Sequence, residues 1–81
     1  MIYQTHLELG QTWESRHVRR DGTRERVLII KLTGREARVR SQNPRPGKPL
    51  ERTIAVGTGS GRLQLAGMRL VLLADGTPFV V

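Results

Sequence analysis

Apolar and polar residues alternate along most of this chain with a period of two, the repeat of a strand that buries one face. Ile2 to Leu9 sets Tyr3, Thr5, Leu7 and Leu9 against Gln4, His6 and Glu8, and Gly10 ends the run. Trp13 to Arg20 resumes it and meets Asp21-Gly22, a dipeptide suited to a two-residue type I′ hairpin. Arg24 to Leu32 contains the unbroken Val27-Leu28-Ile29-Ile30, which predicts a central strand covered on both faces. After a turn at Thr33-Gly34-Arg35-Glu36, alternation returns in Ala37-Arg38-Val39-Arg40. Ser41 to Pro49 holds Pro44, Pro46 and Pro49, which lack the donors a ladder needs, so it reads as an extended, exposed basic loop.

Leu50 to Val56 places Leu50, Arg52, Ile54 and Val56 on one side, and Gly57 to Gly61 reads as a flexible connector. Arg62 to Gly67 carries no clear period and has room for a short 3₁₀ turn. Met68 to Ala74 and Pro78 to Val81 flank Asp75-Gly76 as a closing hairpin, with Pro78 at a sheet edge. Glycines and prolines recur too closely for helices. The predicted fold is all-β, a strongly bent antiparallel meander or small barrel of five to six strands, in one domain over residues 1–81.

The turns also predict a register. A two-residue turn at Asp21-Gly22 sets Trp13 opposite Ile30, and the turn at Gly34 sets Leu28, Ile30 and Leu32 against Ala37 and Val39. The expected inner face is therefore Trp13, Leu28, Ile30, Leu32, Ala37 and Val39, and the opposite face Arg16, Val18, Val27, Ile29, Lys31, Arg38 and Arg40. Arg26 falls by parity toward the inner-face end, beside a carboxylate.

Charge changes this picture most. Twelve of the fourteen Lys and Arg residues lie between Arg16 and Arg52, against Asp21, Glu25, Glu36 and Glu51, and this stretch supplies more than the whole net charge of +7. A pleated surface carrying that excess suits a polyanion. At 81 residues without cysteine, stability has to come from packing, helped by self-association or a bound partner. The first six residues show neither a basic leader nor an apolar signal core, and no run reaches the ~20 apolar residues of a membrane span. The expectation is a soluble cytoplasmic protein with no membrane partner.

The succession Gly10-Gln11-Thr12-Trp13, a long basic hairpin, Val27 to Leu32, Ala37 to Arg40, a variable loop, Thr53-Ile54-Ala55-Val56 and Arg69-Leu70-Val71 resembles the SH3-like small barrels, including Tudor and KOW-type modules. It is also similar to short basic β proteins encoded by bacteria and their phages. The resemblance implies a binding module, since SH3-like barrels bind DNA, RNA, peptides or proteins. It does not extend to the aromatic cage of methyl-lysine readers, because only Tyr3, Trp13 and Phe79 are aromatic.

Guanidinium groups form bidentate, charge-assisted bonds to phosphate, so the arginines of the hairpins are the candidate contacts. They are Arg16, Arg19, Arg20, Arg24, Arg38 and Arg40, extended by Lys31 and by Arg45 and Lys48 of the proline-rich loop. The competing reading is a solvated strand face whose cations discourage edge pairing. Arg45-Pro46-Gly47-Lys48 invites comparison with minor-groove arms but lacks the Arg-Gly-Arg-Pro core of an AT-hook. His17 stands beside Arg16 and Arg19, within reach of the same phosphates or simply at the surface. Trp13 is expected in the core, which leaves few platforms for stacking bases and favours backbone contact with a duplex or structured RNA.

Other chemistries find no footing. Gly57-Thr58-Gly59-Ser60-Gly61-Arg62 lacks the Gly-Lys-Ser/Thr ending of a phosphate loop. His6 and His17 have no ligand partners at metal spacing, and no nucleophile stands near a base. The expectation is a non-enzymatic nucleic-acid-binding protein, taking DNA or RNA, with no cofactor, no metal and no small-molecule substrate. If about five phosphates are neutralised, log affinity falls against log salt with a slope near −4.5 on duplex DNA. The alternative is an interaction or assembly module, such as a phage structural or inhibitory protein. It would dock on an acidic protein or form a homodimer through the apolar stretch Leu70 to Val81.

Overall fold

The computed structural model describes residues 7–59 and 62–79, and every described regular element is a strand. The strands are β1 (Thr12–Ser15), β2 (Arg26–Leu32), β3 (Glu36–Ser41), β4 (Glu51–Gly59), β5 (Arg62–Leu65) and β6 (Met68–Leu72). All ladders are antiparallel, and the order β5-β4-β3-β2-β1-β6 curls the sheet into a nearly closed barrel. The turn at Ala66-Gly67 joins the two outermost strands, and the Arg16 N–H donates to the Gly67 carbonyl at 2.9 Å beside it. The free edge of β6 is covered by its own chain: Phe79 N–H donates to Val71 O and Leu73 N–H to Thr77 O, with Pro78 bridged to Leu72. Pro78 thus occupies the edge position that its missing donor demands.

The fold class agrees with the sequence pattern, whereas the predicted inner face does not. The core is Trp13, Val27, Ile29, Ala37, Val39, Ile54, Leu65 and Met68, with Leu7, Leu32, Val56 and Leu70 packed against it. Val27 and Ile29 are inside, and Leu28 and Ile30 are only half-buried. Two irregularities cause the inversion. Trp13 pairs with Val27, not Ile30, because the connection from β1 is longer and less regular than a two-residue turn. Between β2 and β3, Ile29 faces Val39 but Lys31 faces Arg38, so Ile30 is an extra residue in a bulge. One inserted residue reverses strand parity. Leu32 therefore shares the inner face with Ile29, and the four-residue apolar run can present either pair to the core at little difference in hydrophobicity.

The Asp21-Gly22 turn is a three-residue loop. Gly22 N–H donates to Arg19 O at 2.9 Å, Arg19 N–H to Thr23 O at 2.8 Å, and Gly22 has φ 86°, a left-handed value that favours glycine. Asp21 Oδ1 accepts from the Thr23 N–H at 2.9 Å and from its hydroxyl at 2.6 Å. The second Asp-Gly-Thr, residues 75–77, repeats this turn with Leu73 in the place of Arg19, and Asp75 accepts from both donors of Thr77. Repetition of three residues in one geometry marks the turn as locally encoded.

Three further expectations change. Of the expected strand over 2–9, residues 2–6 lie outside the described residues, and Leu7 to Gly10 forms an irregular lead-in ending in a turn. Gly57 to Gly59 is not a connector, since Gly57 pairs with Gln64 and Thr58 with Leu63. Arg62 to Leu65 is a strand, not a 3₁₀ turn, with Leu65 fully buried. The buried indole of Trp13 satisfies its N–H by donating to Gln11 Oε1 at 3.1 Å. A tryptophan so placed is a core residue and not a stacking platform.

Candidate nucleic-acid interface

The outer face of the sheet carries arginines, but carboxylates hold them. On neighbouring strands Arg40 lies opposite Glu51, and Arg38 sits one pleat along. Arg38 Nε donates to Glu51 Oε1 at 3.2 Å, and Arg40 Nη2 to Glu51 Oε2 at 2.6 Å. Bonds from Arg40, then Arg38, hold the Glu51 carboxyl below its usual range. A second clamp crosses β2, β1 and β6. Glu14 Oε2 accepts from Arg26 Nε at 3.2 Å and Oε1 from Arg69 Nη2 at 2.7 Å. Arg69 chiefly lowers the Glu14 pKa, with Arg26 assisting against a partial burial penalty. Glu14 is covered by these two half-exposed arginines more than by the core, so the pair stays within reach of solvent screening. Arg26 does find the expected carboxylate, but on the outer face, because Val27 occupies the inside.

The unpaired cations collect elsewhere. β1, β2, β3 and β4 run so that loops 16–25 and 42–50 meet at one end of the barrel, and Asn43 ties them together. Its Oδ1 accepts the Arg26 N–H at 2.9 Å and its Nδ2 donates to Arg24 O at 3.0 Å. Arg24 folds back to donate from Nη1 to Ser15 O and Arg16 O at 3.2 and 2.6 Å, which fixes the root of the first loop. In the second loop, Lys48 N–H donates to Arg45 O at 3.1 Å across Pro46-Gly47, with Gly47 at φ 79°. Proline followed by a left-handed glycine is a pairing that type II turns favour.

Between the loops lies a cleft of about 320 Å³ at the barrel mouth, lined by Ser15, His17, Arg19, Glu25, Pro44, Arg45, Lys48, Pro49 and Arg52. A wider, shallower groove continues outward past Val18, Arg20 and Asp21. The floor is a bidentate ion pair: Arg52 Nη1 and Nη2 each donate to one Glu25 oxygen at 2.7 Å. These bonds hold the Glu25 carboxyl low despite its partial burial, and the neighbouring Ser41 hydroxyl and the field of Arg19 act in the same direction. The Ser41 hydroxyl is buried and has no well-formed hydrogen bond of its own, so its contribution to Glu25 is a weak one. Asp21 is held low mainly by Thr23, with smaller help from Arg19 and Arg45.

Among the described residues, Arg16, Arg19, Arg20, Arg24, Lys31, Arg35, Arg45 and Lys48 have no carboxylate within ion-pair distance, although Arg24 is committed to backbone carbonyls. The structure brings Arg19, Arg20, Arg45 and Lys48 together at the mouth, with Arg16 exposed at the root of the same loop. It leaves Lys31 beside Arg38 on the sheet and Arg35 in the turn at the far end. Glu25, Arg52 and Asn43 were not legible as site residues. The one signal for Arg52 was its place on the inner face of β4 beside Ile54, where a lone cation needs a partner. No three His, Cys, Asp or Glu among the described residues could hold a metal ion. No helix among them is long and apolar enough to cross a membrane.

Comparison with protein-family models, with curated proteins and with solved structures finds no match to this chain.

Proposed function

We propose that this protein is a non-enzymatic nucleic-acid-binding barrel that grips phosphates with the cations of its two mouth loops. One observation carries the reading: five arginines of the sheet and floor are bound to Glu14, Glu25 and Glu51, while Arg19, Arg20, Arg45 and Lys48 converge unpaired. Cations gathered in excess of the nearby carboxylates, Asp21 and Glu25, repel one another, and a polyanion relieves that repulsion while releasing its own counterions. The strand order, with the last strand beside the first, supports an SH3-like small barrel. A cytoplasmic setting goes with that partner.

Titration against DNA and RNA across 50 to 200 mM salt tests the reading. With these four mouth cations and the exposed Arg16 at the root of the first loop engaged, the log–log slope is near −4.5 on duplex DNA and near −3.5 on single strands. Absent or salt-independent binding rejects it. Retention of an acidic protein after nuclease treatment, with no affinity for nucleic acid, would replace it with a protein-docking role.

A further inference from the structure

The mouth is built unlike a simple phosphate trap, because a carboxylate forms part of its floor. Each Glu25 oxygen accepts one Arg52 N–H at 2.7 Å, and each keeps a second lone pair. A phosphate driven to that floor meets an ion pair whose charges already cancel, whereas an amino group meets the remaining acceptor sites of the carboxylate. The rim offers the reverse, with Arg19, Arg45 and Lys48. The proline rings of Pro44 and Pro49 and the imidazole of His17 line the walls between, giving flat or apolar surface to a planar ring. A volume of about 320 Å³ matches the lower end of small-ligand clefts, ~300 Å³. A duplex, whose bases are stacked inside a convex cylinder, can touch only the rim.

We infer that the barrel mouth takes one unpaired nucleotide, with its phosphate outward on Arg19, Arg45 and Lys48 and the amino-bearing edge of its base on Glu25. This rests on the nucleic-acid reading and adds single-strand preference and base selectivity to it, against the sequence-based expectation of duplex contact. Cytosine presents a free exocyclic amino group to the carboxylate. The only ring N–H of thymine lies between two carbonyl oxygens, which the carboxylate repels.

Fluorescence anisotropy of the full chain with oligo-deoxycytidine, oligo-deoxythymidine and a blunt duplex of equal phosphate number tests this at fixed salt. The expected order is oligo-deoxycytidine tighter than oligo-deoxythymidine by about tenfold, the value of one good base contact, with the duplex weakest. Glu25→Gln, whose amide can donate as well as accept, erases or reverses the cytosine preference. Because that change also alters the Arg52 pairing, amide shifts of the wild-type chain titrated with cytidine 5′-monophosphate give a second reading. They should centre on Ser15, Arg19, Glu25 and Arg45. Equal affinity for the two oligomers, a duplex bound as tightly as single strands, or shifts centred on the outer sheet would each overturn the inference. Of these, salt-sensitive duplex binding leaves the broader reading standing, while failure of all three nucleic acids to bind removes both.

Discussion

Two double variants that remove the same charge from different places test where the binding energy lies. Arg45→Ala with Lys48→Ala takes two unpaired cations from the mouth. Arg38→Ala with Arg40→Ala takes two that Glu51 already holds at 3.2 and 2.6 Å. Each lowers the formal net charge of +7 by two, so the long-range field changes equally and only local contact differs. A charge-assisted hydrogen bond contributes about 1.5 kcal/mol. Two of them come to about 3 kcal/mol, or roughly 150-fold in Kd. Their loss also makes the salt slope shallower by about 1.8 on duplex DNA or 1.4 on single strands. The sheet variant loses only long-range attraction, screened over a Debye length of about 10 Å at 0.1 M salt, for an effect of about threefold. Anisotropy titrations over a salt series measure both. A sheet variant that loses as much affinity as the mouth variant, or more, refutes the placement of the site.

Two further expectations concern the scaffold. Ile29→Ala empties a fully buried position and costs about 3 kcal/mol in chemical denaturation, whereas Ile30→Ala, at the half-buried bulge, costs well under half of that. Equal costs would contradict the inserted residue in β2. Glu14 has its pKa depressed below the ordinary 4.5 by Arg69 and Arg26. Its contribution is therefore complete above pH 4.5 and lost as pH falls through the depressed folded value. Glu14→Gln removes about 1 kcal/mol near neutrality, discounted for solvent screening, and its stability deficit closes in acid. Thermal melts from pH 7 to pH 2 check this, and a deficit that stays constant would show that lost packing, not charge, was responsible.

Much of the architecture was legible because strand periodicity and turn chemistry are local. The alternation in Ala37-Arg38-Val39-Arg40 appears as strict burial of every second residue in β3. Asp-Gly-Thr closes two loops by contacts confined to five residues. The proline-rich segment stays out of the sheet because proline cannot donate. The face of β2 was not legible. Val27-Leu28-Ile29-Ile30 is apolar on both sides, so a single bulged residue decided which pair went inside.

The same division governs the charges. Residue type and short-range spacing alone established that the central stretch is strongly basic and that the described elements are all β-strands. Which arginines remain available depended on carboxylates 11 to 55 positions away in sequence, from Glu51 reaching Arg40 to Glu14 reaching Arg69. Coulomb attraction acts through space, so only the folded chain could bind five arginines to carboxylates and leave Arg19, Arg20, Arg45 and Lys48 gathered unpaired at the barrel mouth.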